Sequence, residues 1–413
     1  MDPTLIVADD LTGAAEVAAF ASLLERPARV AWVRDDLTWG GDTPDGTAPN
    51  AAANGAARVD DACADAPSIV IDTESRNLAE VDARERLAAI VRGLRTQWLR
   101  GFVYKKIDST LRGPIRAEIT LLHELTGLGP VVAAPAYPRM GRTTRGGVQY
   151  VDGVAAADGP AGDDPLAAAR ESDVARLLPP GDHVVLSAPG SSGVDDLSNA
   201  LAHHRSAGRH VVVDAESEAD LAQLAAVLRT LPPCLVMATG GLARHLWPRK
   251  DTVAANAAAG TIVVIVGSHH PAAREQVAYL EGACACHRVT STRTETLAEH
   301  RDEVLLLTTP SHRVDSGVAL RDLEHALEEV IALGPPSAVV VTGGESALHV
   351  LKRLGASSLD VIGELVDGVP IGLIVGGPWA GTSLATKAGG FGSPDVLAHA
   401  VRRLHSSSSE ESV

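Results

Sequence analysis

Residues 101–125 read GFVYKKIDSTLRGPIRAEITLLHEL. GFVYKKI carries the aromatic and branched residues of a strand, and IRAEITLLHEL repeats its apolar positions at helical spacing. Asp108, Ser109 and Thr110 therefore fall at a strand-to-helix turn. In an open α/β sheet, such turns at the carboxyl ends of strands converge on the crevice where small ligands bind. Lys105, Lys106, Arg112 and Arg116 add positive charge beside one carboxylate and two hydroxyls. On a plainer reading, Asp108 or Ser109 only caps the helix and the cations are solvated. The lysines favour the first reading: only five of the 36 basic residues are lysine, and two stand side by side here. Where arginine serves as the general surface cation, a retained lysine marks a need for a compact, mobile charge. A third, Lys387, lies in TKAGGFG.

The same pattern recurs outward from this stretch. TLIVADDLTGAAEVAAFASLL, residues 4–24, reads as strand, acidic turn and helix, with Asp9, Asp10 and Thr12 at the turn. ARVAWV, SIVIDTES, PVVAAPA, HVVLS, HVVVD and CLVMATG add strands, most followed by helical periodicity. Such alternation predicts a largely parallel sheet with right-handed crossovers. Around residues 246–260 the pattern resets, and TIVVIVGS opens a second series continuing through VLLLTT, AVVVTGG and IGLIVGG. The expectation is an α/β protein of two domains, residues 1–248 and 258–405, each a largely parallel sheet flanked by helices. The active site would lie in the cleft between them, and residues 406–413 would form a disordered tail. Residues 40–66 and 155–165 read as flexible excursions.

Composition excludes several classes. A net charge of −16 and only 3% aromatic residues argue against a nucleic-acid or acidic-membrane surface. Local clusters of cations become more telling for that reason. The four cysteines form no CxxC pair, and Cys284 and Cys286 in GACACH read as small residues alternating along a strand. With no signal-like segment or long apolar run, a cytoplasmic enzyme is expected. GxxxxGK[ST], GxGxxG after a first strand, GxSxG and HExxH are all absent, so neither a P-loop nor a familiar hydrolase or zinc site is indicated.

The polar turns of the first half, ADDLTG, DTESRN, KKIDSTLRG and APAYPRMGRTTRGGVQYV, offer carboxylates at Asp9, Asp10, Asp72 and Asp108 together with hydroxyls and cations. Arg142 and its neighbours Arg139 and Arg145 can grip a carboxylate in a fork, and the set suits a small polyhydroxylated acid. Asp72 and Arg76 read equally as a structural ion pair. In the second half, Ser268 in VGSHHPAAREQV, Gly343, Gly344, Glu345 and Ser346 in TGGES, and Lys387, Gly389 and Gly390 in TKAGGFG form three turns suited to phosphate. No metal ligand set is indicated.

These motifs, in this order over nearly the whole chain, resemble the four-carbon acid sugar kinase family, which includes D-threonate, D-erythronate and 3-oxotetronate kinases. The resemblance implies an N-terminal sugar-acid-binding domain, a C-terminal nucleotide-binding domain, and ATP with Mg²⁺ as cofactors. It sets the sugar acid against Asp10, Arg76 and the Lys106-Ile107-Asp108-Ser109 turn, to which the reading of the polar turns adds Asp9 and Arg142 as substrate contacts. It sets ATP near Ser268, the Gly343-to-Ser346 turn and Gly389, beside the Lys387 and Gly390 already read from TKAGGFG. Asp108 is then expected as the catalytic base, with Asp10 the alternative and a candidate metal contact, and Lys106 or Lys387 balancing charge on the transferred group. The chain departs from the family at GSHHPAAREQ, where small residues and a threonine are usual, and at Asp367, where proline is commoner. An NAD-dependent oxidoreductase on a related sugar acid and a non-catalytic sugar-acid sensor are the competing readings, and a homo-oligomer is left open.

Overall fold

A computed structural model describes residues 4–22, 27–32, 68–165, 167–188, 190, 193–247, 260–268, 270–289, 304–308 and 316–406. The excursion expected at 40–66, the expected boundary at 248–258 and the tail from residue 407 lie outside these, while residue 406, expected in the tail, ends the helix Val396–Ser406. Two compact units are present, one of Met1–Ala21 with Ala28–Arg249, the other of Ser22–Pro27 with Lys250–Val413.

The main strands of the first unit are β1 (Thr4–Ala8), β2 (Ala28–Trp32), β3 (Ser68–Asp72), β4 (Phe102–Lys106) and β5 (Val132–Ala134). Arg142–Arg145, Val148–Val151 and Val154–Ala155 are β6 to β8, followed by β9 (His183–Leu186), β10 (His210–Val213) and β11 (Leu235–Ala238). The large sheet runs β2-β3-β1-β4-β11-β5-β10-β9, and its pairings are parallel. Its central strands are apolar on both faces because helices cover both, as in Leu5, Ile6 and Val7, all fully buried. β1 has β3 on one side and β4 on the other, so the chain reverses its direction of travel across the sheet there. A crevice opens outside the carboxyl ends of strands at such a switch point.

Local chemistry explains the flanking helices. Glu80–Arg92 begins with Glu80 and Asp82 and ends with Arg92, matching the helix dipole at both ends. Ile115–Thr126 stops at Gly127, whose φ of 62° is left-handed. Glu218–Leu228 starts from a reciprocal Ser217–Asp220 capping box.

The second unit runs β13-β14-β12-β15-β18-β17-β16. These strands are β12 (Ile262–Val266), β13 (Cys286–Val289), β14 (Val304–Thr308), β15 (Ala338–Thr342), β16 (Ser358–Val366), β17 (Val369–Val375) and β18 (Ser383–Lys387). β13, β14, β12, β15 and β18 are parallel, whereas β17 pairs antiparallel with both β16 and β18.

Three expectations are corrected. IGLIVGG belongs to a hairpin rather than to another parallel unit, because Asp367 and Gly368, at φ 72°, turn the chain back directly. GRTTRGGVQYV, expected as a polar turn, is an antiparallel hairpin whose tip glycines Gly146 and Gly147 have φ of 60° and 78°. Residues 155–165, expected as an excursion, carry the end of β8 and a 3₁₀ turn at Ala156–Asp158, with Ala156 buried against the core.

Candidate functional site

The turns after β1, β3 and β4 meet around one guanidinium. Arg76 donates from Nε to Asp9 Oδ2 and from Nη2 to Asp9 Oδ1, both at 2.8 Å. The same group reaches Asp10 at 3.0 and 2.8 Å, and its Nη1 lies 3.9 Å from Asp108 Oδ1. Arg76 thus holds Asp9 and Asp10, not Asp72 as the sequence also allowed. Burial would raise the Asp9 carboxyl, but Arg76, aided by Lys105 and Lys106, outweighs it and holds the group below its ordinary range. The three carboxylates in turn hold Arg76 charged against its own burial.

Asp108 is gripped from its other side. Arg112 donates to both of its oxygens, at 3.0 and 3.1 Å, and reaches Asp164 Oδ2 at 3.0 Å. Thr110 adds its amide at 3.2 Å and its hydroxyl. Against its burial, Arg76 and then Arg112 hold Asp108 far below the ordinary carboxylate range. Asp10 is the more open of the two, with its side chain 20% exposed against 11% for Asp108. It accepts from Thr12 Oγ1 at 2.6 Å and from the Gly13 amide at 3.0 Å, which ties it to the first turn of Leu11–Ala21. A side chain at Gly13 would strike both Asp10 and Lys106, since a Cβ there would stand 2.6 Å from Asp10 Oδ1 and 2.9 Å from Lys106 Nζ.

Lys106 is on this face, its Nζ 3.7 Å from Glu16 Oε2 and bonded to the Ile107 carbonyl at 3.1 Å. Lys105, one residue earlier on the strand, points to the opposite face and pairs with Glu118. Ser109 contributes its carbonyl to Gln149 Nε2 at 3.0 Å, fastening the hairpin to this turn. The Arg142 guanidinium is turned onto the Met140 carbonyl of the preceding 3₁₀ turn rather than onto the carboxylates. Asp72 is fully buried with one oxygen accepting from the Glu74 amide at 2.9 Å and the other without a partner among the described residues. Burial, reinforced by Asp10, Glu74 and Asp9, pushes its carboxyl well up. Glu74 and Leu111, at φ of 50° and 61°, hold the two turns in the left-handed region, a strain that collects at functional sites.

Glu118, Asp164 and Gln149 were missed by the sequence reading. Glu118 lay in the opening stretch and reads there as an ordinary helix acid. Asp164 and Gln149 come from distant segments, and nothing in their local sequence points to Arg112 or Ser109.

In the second unit, Val266, Thr342 and Lys387 are level with one another at the ends of β12, β15 and β18. The turns that follow therefore leave the sheet along one edge. Gly343, at φ 99°, donates its amide to the Lys387 carbonyl at 2.8 Å and precedes the helix Gly344–Arg353, whose first turn carries Glu345 and Ser346. The turns press on one another. A Cβ on Gly267 would stand 2.0 Å from Ser346 Oγ, and one on Gly389 would stand 2.2 Å from Ser268 Oγ. His270, half of the departure from the family pattern, caps Pro271–Ala283 by accepting from the Ala272 amide at Nδ1, 3.2 Å away. His269 lies outside the described residues. Lys387 is buried, with its ammonium on backbone carbonyls, and burial lowers its pKa to about 8.

A sugar-binding N-terminal domain family matches residues 4–246, and a nucleotide-binding C-terminal domain family matches residues 308–397. The D-threonate kinase of Bordetella bronchiseptica is 36% identical over 407 residues, covering 90% of this chain and 96% of that protein. The 3-oxo-tetronate kinase of Burkholderia multivorans is 29% identical over 385 residues, covering 82% and 88%. A solved structure from Salmonella typhimurium LT2 shares the fold, with TM-score 0.74 at 24% identity over 97% of this chain and 98% of that one. With one domain family matching over half of its length and a relative this similar end to end, the chain belongs to the four-carbon acid sugar kinase family.

Proposed function

We propose that the protein is an ATP-dependent kinase that phosphorylates the terminal hydroxyl of a four-carbon sugar acid of the threonate, erythronate or 3-oxotetronate type. The observation that carries this reading is the cluster of Asp9, Asp10, Arg76 and Asp108 at the switch point of the first sheet. Alternating acceptors and donors on fixed turns suit a ligand that is both hydroxylated and anionic.

Phosphoryl transfer needs alignment and charge balance more than covalent catalysis. A proton acceptor works best when its pKa lies near the working pH. Asp108, with both oxygens bonded by Arg112 and its pKa driven far down, is a poor acceptor and instead orients the hydroxyl. Asp10, the more open carboxylate, takes the proton. Lys106, beside Asp10 on the same face, balances charge as the phosphoryl group arrives.

ATP brings the transferable group to the Ser268, Gly343–Ser346 and Gly389–Gly390 turns of the second unit. Mg²⁺ carried in on the ATP phosphates would supply neutralisation of their charge. Among the described residues no group of three or more His, Cys, Asp or Glu side chains is arranged to hold a metal ion. The test is a coupled ADP-release screen over the stereoisomeric tetronates and their 3-oxo forms. One or more should support ATP-dependent turnover, and folded protein that releases no ADP with any of them sinks the assignment.

A further inference from the structure

Lys387 was read from the sequence as a phosphate contact, but its ammonium is already committed. Its side chain is 1% exposed, and Nζ donates to the carbonyls of Ala388 at 2.8 Å, Phe391 at 2.9 Å and Gly389 at 3.4 Å. An ammonium has three N–H donors, so this set takes all of them. Gln276, fully buried on Pro271–Ala283, reaches the same turn. Its Nε2 donates to the carbonyls of Phe391, Gly392 and Ser393 at 2.9, 3.0 and 3.2 Å.

Between them the two side chains gather five carbonyls of residues 388–393. The Phe391 amide closes the turn on the Ala388 carbonyl at 3.1 Å. The amides of Gly389 and Gly390 have no acceptor among the described residues. In a tight turn whose carbonyls are drawn to one side, the intervening N–H groups face the other, which is how backbone nests bind anions. On the outer side stand Ser268, against Gly389, and the His270 ring, whose Nε2 would lie 3.0 Å from a Cβ on Gly390.

We propose that Lys387 and Gln276 form an internal lock, pulling the carbonyls of 388–393 inward so that the Gly389 and Gly390 amides face a nucleotide phosphate. Lys387 is then a positioning residue that does not touch the phosphate. This deepens the nucleotide reading of the second unit and rests on it.

Lys387→Met keeps the length of the side chain and removes its donors, and Gln276→Leu removes the second set of donors. Each is assayed by calorimetry with ADP and with the preferred tetronate, and by steady-state kinetics. A lock predicts that each variant raises the nucleotide Kd and KM by about tenfold or more, leaves tetronate Kd within about twofold, and keeps kcat at saturating ATP within about threefold. Unchanged nucleotide affinity in both folded variants overturns the lock. A kcat loss of about 100-fold at unchanged nucleotide affinity in Lys387→Met also overturns it, since that places the ammonium on the transferred group. If Lys387→Met does not fold, Gln276→Leu decides alone by the same criteria. Wild-type protein that binds neither ADP nor ATP would refute the nucleotide reading itself, a result distinct from failure of the lock.

Discussion

Lys105 and Lys106 are consecutive, yet their ammonium groups lie on opposite faces of the sheet: Lys105 is 2.8 Å from Glu118 Oε2, and Lys106 is 3.7 Å from Glu16 Oε2. Strand geometry makes this unavoidable, because adjacent side chains alternate. Only Lys106 shares a face with Asp10. Lys105 and Glu118 are both essentially excluded from solvent, and Glu118 also accepts from Ser75 Oγ at 2.8 Å, which steadies the turn carrying Arg76.

Glu118→Leu should therefore destabilise the fold by about 3–5 kcal/mol, because it leaves a buried lysine without its partner. The double variant Lys105→Met, Glu118→Leu should recover much of that loss, since an apolar pair of similar volume removes both charges. Urea denaturation of the two variants and the wild type checks this. A double variant as unstable as the single one would show that packing, not the unpaired charge, dominates.

Arg76→Gln should weaken the protein most above about pH 3.9, where Asp9 and Asp108 are charged, and progressively less in acid. Asp9 and Asp108 have folded pKa values below their unfolded ones, so the stability they contribute is present above about pH 3.9 and lost as pH falls through the folded values. Removing the guanidinium raises those folded values, and the acid-unfolding midpoint should move to higher pH. Circular dichroism along an acid titration measures it. An unmoved midpoint would mean that Lys105, Lys106 and Arg112 suffice to hold the carboxylates charged.

Asp72 has the opposite linkage. Its folded pKa is raised, so relative to the unfolded chain it costs stability increasingly as pH rises from about 3.9 toward the folded value. Asp72→Asn keeps the acceptor for the Glu74 amide and removes the titration. Its stability relative to wild type should improve across that window, as read from urea midpoints between acid and neutral pH. A constant difference at every pH would mean that Asp72 does not titrate there.

Asp10→Asn and Asp108→Asn separate the two catalytic assignments. Loss of the proton acceptor should lower kcat by a factor of about 100 or more, whereas loss of an orienting contact should cost less. The larger fall is expected in Asp10→Asn. The reverse order, with both proteins folded, would return the acceptor role to Asp108.

Gly389→Ala should lower nucleotide affinity, because the new methyl would meet Ser268 Oγ, 2.2 Å from an ideal Cβ. Tetronate binding to the first unit should be unaffected, and calorimetry with each ligand separates the two. A variant that loses tetronate affinity and keeps that for ATP would reverse the division of labour.

The alternation of buried strands with amphipathic helices is written in the chain, since burial on both faces of a parallel sheet demands continuous apolar runs such as IVVIV and AVVVT. The turns bearing Asp9, Asp10, Arg76 and Asp108 were legible for the same reason: polar residues following such runs have nowhere to go but the sheet edge. What local sequence could not convey was pairing at a distance. Arg76 could be matched with Asp72 four residues earlier or with Asp9 and Asp10 some 66 positions away, and only the parallel register of β1 against β3 decides between them. Lys387 carried the signature of a phosphate-binding cation, yet the turn beyond it folds back to surround its ammonium with carbonyls. A charge motif records which group is present, while the backbone path determines which atoms reach it first.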